Sequence, residues 1–408
     1  MLRCKVGSFA VSTGGAGTTQ AITGVGFQPK AIIFFWCGRV TNNSEAANDH
    51  QRGFGVAVSP TSRHAVTTVS QNAVADAQSQ TDDSDAACIR FLNASGTLDG
   101  YLDHQSMDTD GFTLIVDDQI SSAHRVGYMA LGGDEIQVFR SNFAEPGATG
   151  NFSITGVGFR PDAVLFMGEP VAGFPSTGPD SRCMIGAMTR LPTVQGGVWL
   201  GGSNDAAATT VTRKYMNRAE CLANFDLDSA TIIARASPVS FDADGFTVNF
   251  LERNNTGRNY LYLAIKGGRI QLDNLSLTLN TTDTSVVPLP FRPEGGLIFS
   301  STTGMNAQDT PTVIDEISIG AFDRALNQTV HSMRDENAVT TTAVRNSVFD
   351  GSIYVDEGAA GIVNQAAITA VGDRSFSIKK SIADGLSDDI IWLAFGNEEN
   401  GLFSSIWI

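Results

Sequence analysis

Ile22-Thr-Gly-Val-Gly-Phe27-Gln-Pro29 runs into Ala31-Ile-Ile-Phe-Phe-Trp36, and the pair recurs. The second occurrence is Ile154-Thr-Gly-Val-Gly-Phe159-Arg-Pro161 with Ala163-Val-Leu-Phe-Met167. The third, weaker, is Val286-Val-Pro-Leu-Pro-Phe291-Arg-Pro293 with Gly296-Leu-Ile-Phe299. Pro29, Pro161 and Pro293 are evenly spaced, 132 residues apart. Three further landmarks follow in the same order. One is Phe54-Gly-Val-Ala-Val58, Ile185-Gly-Ala-Met188 and Ile319-Gly-Ala-Phe322. The next is Asp110-Gly-Phe112-Thr-Leu-Ile-Val116, Asp244-Gly-Phe246-Thr-Val-Asn-Phe250 and Arg374-Ser-Phe376-Ser-Ile378. The last is Tyr128-Met-Ala130, Tyr262-Leu-Ala264 and Trp392-Leu-Ala394. Self-similarity at a fixed period marks tandem copies of one structural unit. The boundaries expected from it are 1–134, 135–268 and 269–408.

The pattern within a copy is that of strands. The Phe112 and Phe246 segments alternate apolar and polar residues, the period of a half-buried strand. The Ala31, Ala163 and Tyr262 runs are continuously apolar and bounded by turn formers, which suits central strands. Gly-Val-Gly-Phe-x-Pro reads as a strand end, a glycine turn and a proline-set entry into the next strand. Helical periodicity is nearly absent; Leu326, Val330 and Met333 fit a short helix or a strand equally. The expected fold is all-β: three tandem antiparallel β-sandwich domains, each of about six to eight strands, arranged with pseudo-threefold symmetry. Long connections run from Ser59 to Ala87, Arg190 to Ala219 and Arg324 to Asn346. They diverge between copies, as outward-facing loops do. Leu402 to Ile408 stands where a fourth copy would begin, and is expected to close a sheet.

Composition agrees. The 408 residues are 42% hydrophobic and only 17% charged, which excludes a disordered chain. A net charge of -16 argues against a nucleic-acid partner. No apolar run is long enough to span a membrane as a helix, and Met1 to Gly17 lacks the apolar core of a signal peptide. Cys4, Cys37, Cys88, Cys183 and Cys221 are scattered, without metal spacing, and read as small core residues.

Chemistry-bearing motifs are sparse. Asp108-Thr-Asp110-Gly111 and Asp242-Ala-Asp244-Gly245 open like a calcium loop, but Phe112 and Phe246 fill the next ligand position and no twelfth-position glutamate follows. An Asp-Gly turn feeding a strand accounts for them. Asp82-Asp83-Ser84-Asp85 reads as a solvated acidic loop. His50, His64, His104, His124 and His331 have no paired spacing, so no metal or cofactor is expected. There is no Gly-x-Ser-x-Gly elbow, phosphate loop or dinucleotide fingerprint, and no carboxylate pair stands out, so no catalytic residue is assigned. Trp199 reads as a buried strand residue rather than a sugar platform. One basic-aromatic cluster remains in an acidic chain: Arg213, Lys214, Tyr215 and Arg218. Arginine and tyrosine favour interfaces, which makes these four the binding candidates, toward an acidic neighbour or an anionic glycan.

The order of Phe27, Pro29, Gly111, Phe112, Tyr128 and Ala130, with their counterparts, resembles the H-type lectin sandwich, which implies a sandwich module. No counterpart of that module's sugar-binding residues is present. The chain as a whole resembles the β-rich structural proteins of tailed-bacteriophage virions. That resemblance implies a tail, baseplate or capsid-surface component, made in the host cytoplasm and residing in the virion. It would be oligomeric, act in assembly and host attachment, and have other virion proteins and host-surface glycan as partners. The alternatives are a lectin-like adhesin and, less favoured, a glycan-degrading enzyme.

Overall fold

A computed structural model describes residues 1–75, 78–171, 176–204, 209–254, 258–301, 304–305 and 311–398. Leu402 to Ile408, expected to close a sheet, lies outside the described residues. The described chain is all-β and antiparallel, with 33 strands and no helix. Strand order repeats three times. The first unit has a sheet ordered Arg3–Ala10, Arg125–Gly132, Pro29–Trp36, His50–Ser59, Ser62–Ser70 and Ser79–Ser84. Its second, four-stranded sheet is ordered Thr19–Thr23, Gly111–Asp118, Leu98–Asp108 and Ile89–Leu92. The same two orders recur from Gln137 to Lys266 and from Arg269 to Asn397. Among the described residues each repeat contributes eleven strands, not six to eight. The difference lies in the three connections read as loops. They contain paired strands such as Ser62–Ser70 with Ser79–Ser84, Thr193–Gly202 with Thr212–Asn217, and Gln328–Asp335 with Val344–Asp350. Leu326 precedes this last pair, and Val330 and Met333 lie within it, as strand.

The recurrent sequence landmarks are backbone requirements. Asp110 accepts hydrogen bonds from the Gly24 and Gly26 amides at 3.1 and 2.6 Å, and Asp244 does the same for Gly156 and Gly158 at 3.1 and 2.5 Å. The first landmark is thus clamped to the third by one carboxylate. Asp108 accepts from Ser106 and Thr113, and Asp242 from Ser240 and Thr247, so the calcium-like opening is filled by the chain's own donors. The third repeat lacks this aspartate but keeps the backbone bond, Leu289 N to Arg374 O at 2.8 Å. The glycine of the second landmark has another cause. A Cβ on Gly55, Gly186 or Gly320 would stand 1.8, 2.2 or 2.0 Å from the carbonyl oxygen of Cys88, Cys221 or Ile353. At each place the chain entering the small sheet crosses directly over the large one.

Two kinds of core follow. Each repeat buries apolar side chains between its large and small sheets, for example Ile32, Phe34, Trp36, Phe112 and Tyr128 in the first. The alternate residues of the same strands, Ile33, Phe35 and Cys37, point the other way. They join Leu165, Met167, Leu297, Phe299 and their neighbours in one cluster drawn from all three repeats. The large sheets are also linked at their edges. Ser176–Pro179 of the second repeat adds a seventh strand beside Ser79–Ser84 of the first. Thr312–Val313 of the third adds one beside Thr212–Asn217 of the second. Ser44–Ala46 of the first adds one beside Val344–Asp350 of the third. Each repeat gives one strand and receives one.

Gly186→Ala is expected to lower stability by about 2 kcal/mol or more, because the carbonyl it would strike is main chain and cannot rotate away. A urea-unfolding comparison with Gly178→Ala, where the added Cβ meets nothing, checks it.

Candidate functional site: the junction of the three repeats

The strands Ser62–Ser70, Thr193–Gly202 and Gln328–Asp335 each end two residues before an asparagine: Asn72, Asn204 and Asn337. The side-chain oxygen of each accepts a backbone N–H from a neighbouring repeat. Asn72 Oδ1 accepts from Val344 at 2.8 Å, Asn204 Oδ1 from Ser79 at 3.0 Å and Asn337 Oδ1 from Thr212 at 2.9 Å. Main-chain bonds reinforce two of these contacts. Ala73 N and Thr342 O are 2.9 Å apart, as are Thr342 N and Val74 O, while Ala338 N and Thr210 O are 2.8 Å apart. Here the strand-terminal amides of one repeat find their partners only on another repeat. Ser70, Ser79, Gly202, Thr212, Asp335 and Val344 surround a space of about 10 Å³, room for about one water and for no substrate.

Beneath it lie charges that the composition alone did not reveal. His50 Nε2 and Asp335 Oδ1 are 2.6 Å apart, and Arg52, wholly buried, lies 2.8 Å from Asp315. Both pairs join the first repeat to the third. Burial pushes the Asp335 carboxyl up, but His50, Arg52 and Ser70 outweigh it and hold it below the ordinary carboxylate value. Burial raises Asp315 despite Arg52. Ser70 is bonded to Ser79 and to Asp335, so His50 and Asp335 with this serine do not form a nucleophilic relay. His64 is held between Asp83 and Arg140, the latter from the second repeat. Asp82-Asp83-Ser84, read as a solvated loop, is a buried strand, with Asp82 paired to Arg90 at 2.7 Å. Strand pairing on both sides, with Ser62–Ser70 and with Ser176–Pro179 of the second repeat, is what buries it.

The Thr212–Asn217 strand distributes the four binding candidates over different surroundings. Lys214 is buried, donates to Ser301 O at 2.8 Å and lies 3.8 Å from Glu316; burial lowers its pKa, with Glu316 opposing. Tyr215 is fully buried, donates to Glu220 at 3.0 Å and packs on Trp199; burial and Glu220 raise its hydroxyl pKa. Arg213 is half-buried, 3.4 Å from Asn337 Oδ1. Arg218 is exposed and pairs with Asp273 at 2.8 Å. Arg213, Lys214 and Arg218 all reach residues of the third repeat. Trp199 is buried, as its apolar neighbours required.

Among the described residues no group of three or more His, Cys, Asp or Glu is placed to hold a metal ion, and no helix is long and apolar enough to cross a membrane. Cys37, Cys88, Cys183 and Cys221 are buried thiols. No family model matches the chain, and no curated protein matches it. The three asparagines were missed because they sit in the divergent connections. Their spacing, 132 and then 133 residues, was the available signal.

Two outcomes are expected. Asn204→Ala leaves the Ser79 amide unpaired and lowers stability by about 1–2 kcal/mol, read from urea midpoints. His331 packs edge-on against Phe35 where the other repeats place Val66 and Val198. Burial first, and Arg125 in smaller part, push its pKa from 6.5 down to about 3 against the pull of Asp350. The fold therefore holds a neutral imidazole, and stability drains away as pH falls below 6.5 toward 3. His331→Val should shrink the difference between urea midpoints measured at about pH 7 and pH 4.5.

Proposed function

We propose that this chain is a structural protein of a phage virion surface, a tail, baseplate or capsid-surface component. Its units 1–134, 135–268 and 269–408 act as β-sandwich domains about a pseudo-threefold axis. The observation that carries this reading is the reciprocal exchange of edge strands among the three repeats. Strand exchange and a shared apolar cluster join three units into one shape-persistent block. A single chain of that kind can occupy a site that three separate subunits would otherwise fill. The junction is filled with structural hydrogen bonds and has no room for a substrate, which suits assembly better than turnover. In this reading the partners are other virion proteins, with host-surface glycan as a further contact, and there is no enzymatic role.

A second reading, a lectin-like adhesin, draws on one feature. A cleft of about 460 Å³ in the first repeat is lined by Arg3, Phe27, Gln28, Lys30, Thr109 and Asp134. It is of ligand size and combines an aromatic ring with polar groups.

Antibody raised against the purified chain should label particles at a fixed position in negative-stain electron microscopy. Absence of the chain from purified particles would overturn the virion reading; retention on a glycan array in that case would put the adhesin in its place.

A further inference from the structure

The space between the large and small sheets of the third repeat differs from that of its sisters. On neighbouring strands of the small sheet, Asp356 pairs in register with Asn364, and Lys380 with Ala366, two residues further along. The corresponding residues are Phe91, Gly100 and Val116 in the first repeat, and Asn224, Ala234 and Phe250 in the second. Those sets are apolar but for Asn224. In the third repeat an ammonium, a carboxamide and a carboxyl occupy the same core, and all three are buried. Burying such groups is costly unless they bond to one another or react.

Their contacts bring an amine, a carboxamide and two carboxyls together. Lys380 Nζ lies 3.1 Å from Asn364 Oδ1, and the amide carbon is one C=O bond, about 1.2 Å, beyond that oxygen. On its other side Lys380 Nζ stands 2.8 Å from Asp388 Oδ2, a base able to take its proton. The backbone N–H of Asp384 also donates to Asn364 Oδ1, at 3.1 Å, where negative charge would develop on attack. Asn364 Nδ2, the leaving nitrogen, is 3.1 Å from Asp356 Oδ2.

We propose that Lys380 and Asn364 join in an intramolecular isopeptide bond, formed by the chain itself with Asp356 as acid–base catalyst. Lys380 gives one proton to Asp388 and attacks Asn364 Cγ as the neutral amine. The C=O electron pair moves to Oδ1, held by the Asp384 amide. Asp356 protonates Nδ2 and takes back a proton from Nζ. The Cγ–Nδ2 bond breaks, the C=O re-forms, and one ammonia leaves. No oxidant or co-reactant is needed. Burial, with Glu316 alongside, raises the Asp356 pKa to about 8, so the proton it must donate is present at neutral pH. The product is a neutral amide, which removes the buried ammonium charge.

Intact-mass spectrometry of the denatured full chain tests this. The wild type is expected to be lighter than its sequence mass by one ammonia. Its tryptic digest should contain a branched peptide joining the segments that carry Asn364 and Lys380. Asp356→Asn, which installs the residue the second repeat has at Asn224, should keep its full sequence mass. Should that variant fail to fold, the wild-type mass and branched peptide decide alone. Wild-type protein at its full sequence mass, or an ammonia loss mapped to another asparagine, would overturn the proposal.

Discussion

The large sheets of this chain have no solvent face along their central strands. One face covers the small sheet of the same repeat, and the other meets the corresponding faces of the two remaining repeats. The strands Pro29–Trp36, Ala163–Val171 and Arg292–Ser300 therefore carry apolar residues on both sides, and the alternation that marks a half-exposed strand disappears from them. Ala31 to Trp36 is the consequence: Ile32, Phe34 and Trp36 serve the local core while Ile33 and Phe35 serve the shared one. The small sheets keep the alternation because only one of their faces is covered, as Phe112, Thr113 and Leu114 illustrate. Strand exchange at the edges follows from the same arrangement. Large sheets drawn together in this way bring their edges close, and an edge strand left unpaired is a liability.

Much of this was legible because it is written in main-chain geometry. Gly55, Gly186 and Gly320 recur because a carbonyl oxygen occupies the place of a side chain. Asp110 and Asp244 recur because a turn with two glycines presents two amides to one carboxylate. Such constraints tolerate little substitution and survive as visible landmarks. The paired strands after the second landmark escaped because they are polar: Ser79–Ser84 pairs with Ser62–Ser70 beside it and with Ser176–Pro179 of the next repeat. Ser79–Ser84 looks like an acidic loop from Asp82 and Asp83 alone, yet Arg90, His64 and a strand of the next repeat turn it into buried sheet. The Arg213 to Arg218 cluster likewise has contacts within the chain that its local sequence does not display. Glu316 and Asp273, which answer two of its charges, lie 102 and 55 residues away from Lys214 and Arg218 in sequence.

Fusion of the repeats also permits what a homotrimer cannot. In three identical subunits, a residue in the place of Asp335 would appear three times around the junction, and like charges that close would repel. Here the equivalent positions are Ser70 and Gly202, and the single carboxylate of Asp335 meets His50 across the boundary. Arg52 and Asp315 use the same freedom, with Cys183 in the second repeat at the place of Arg52. Buried pairs of this kind add little net stability, but a wrong register would strand a bare charge, so they choose between assemblies that the apolar cluster alone would accept. The apolar face supplies the attraction common to all three boundaries, and the asymmetric charges make each boundary distinct. That division explains why the core strands have stayed alike while the strands that meet at the junction have diverged: similarity is imposed where every repeat does the same task, and difference is useful where each must recognise a particular neighbour.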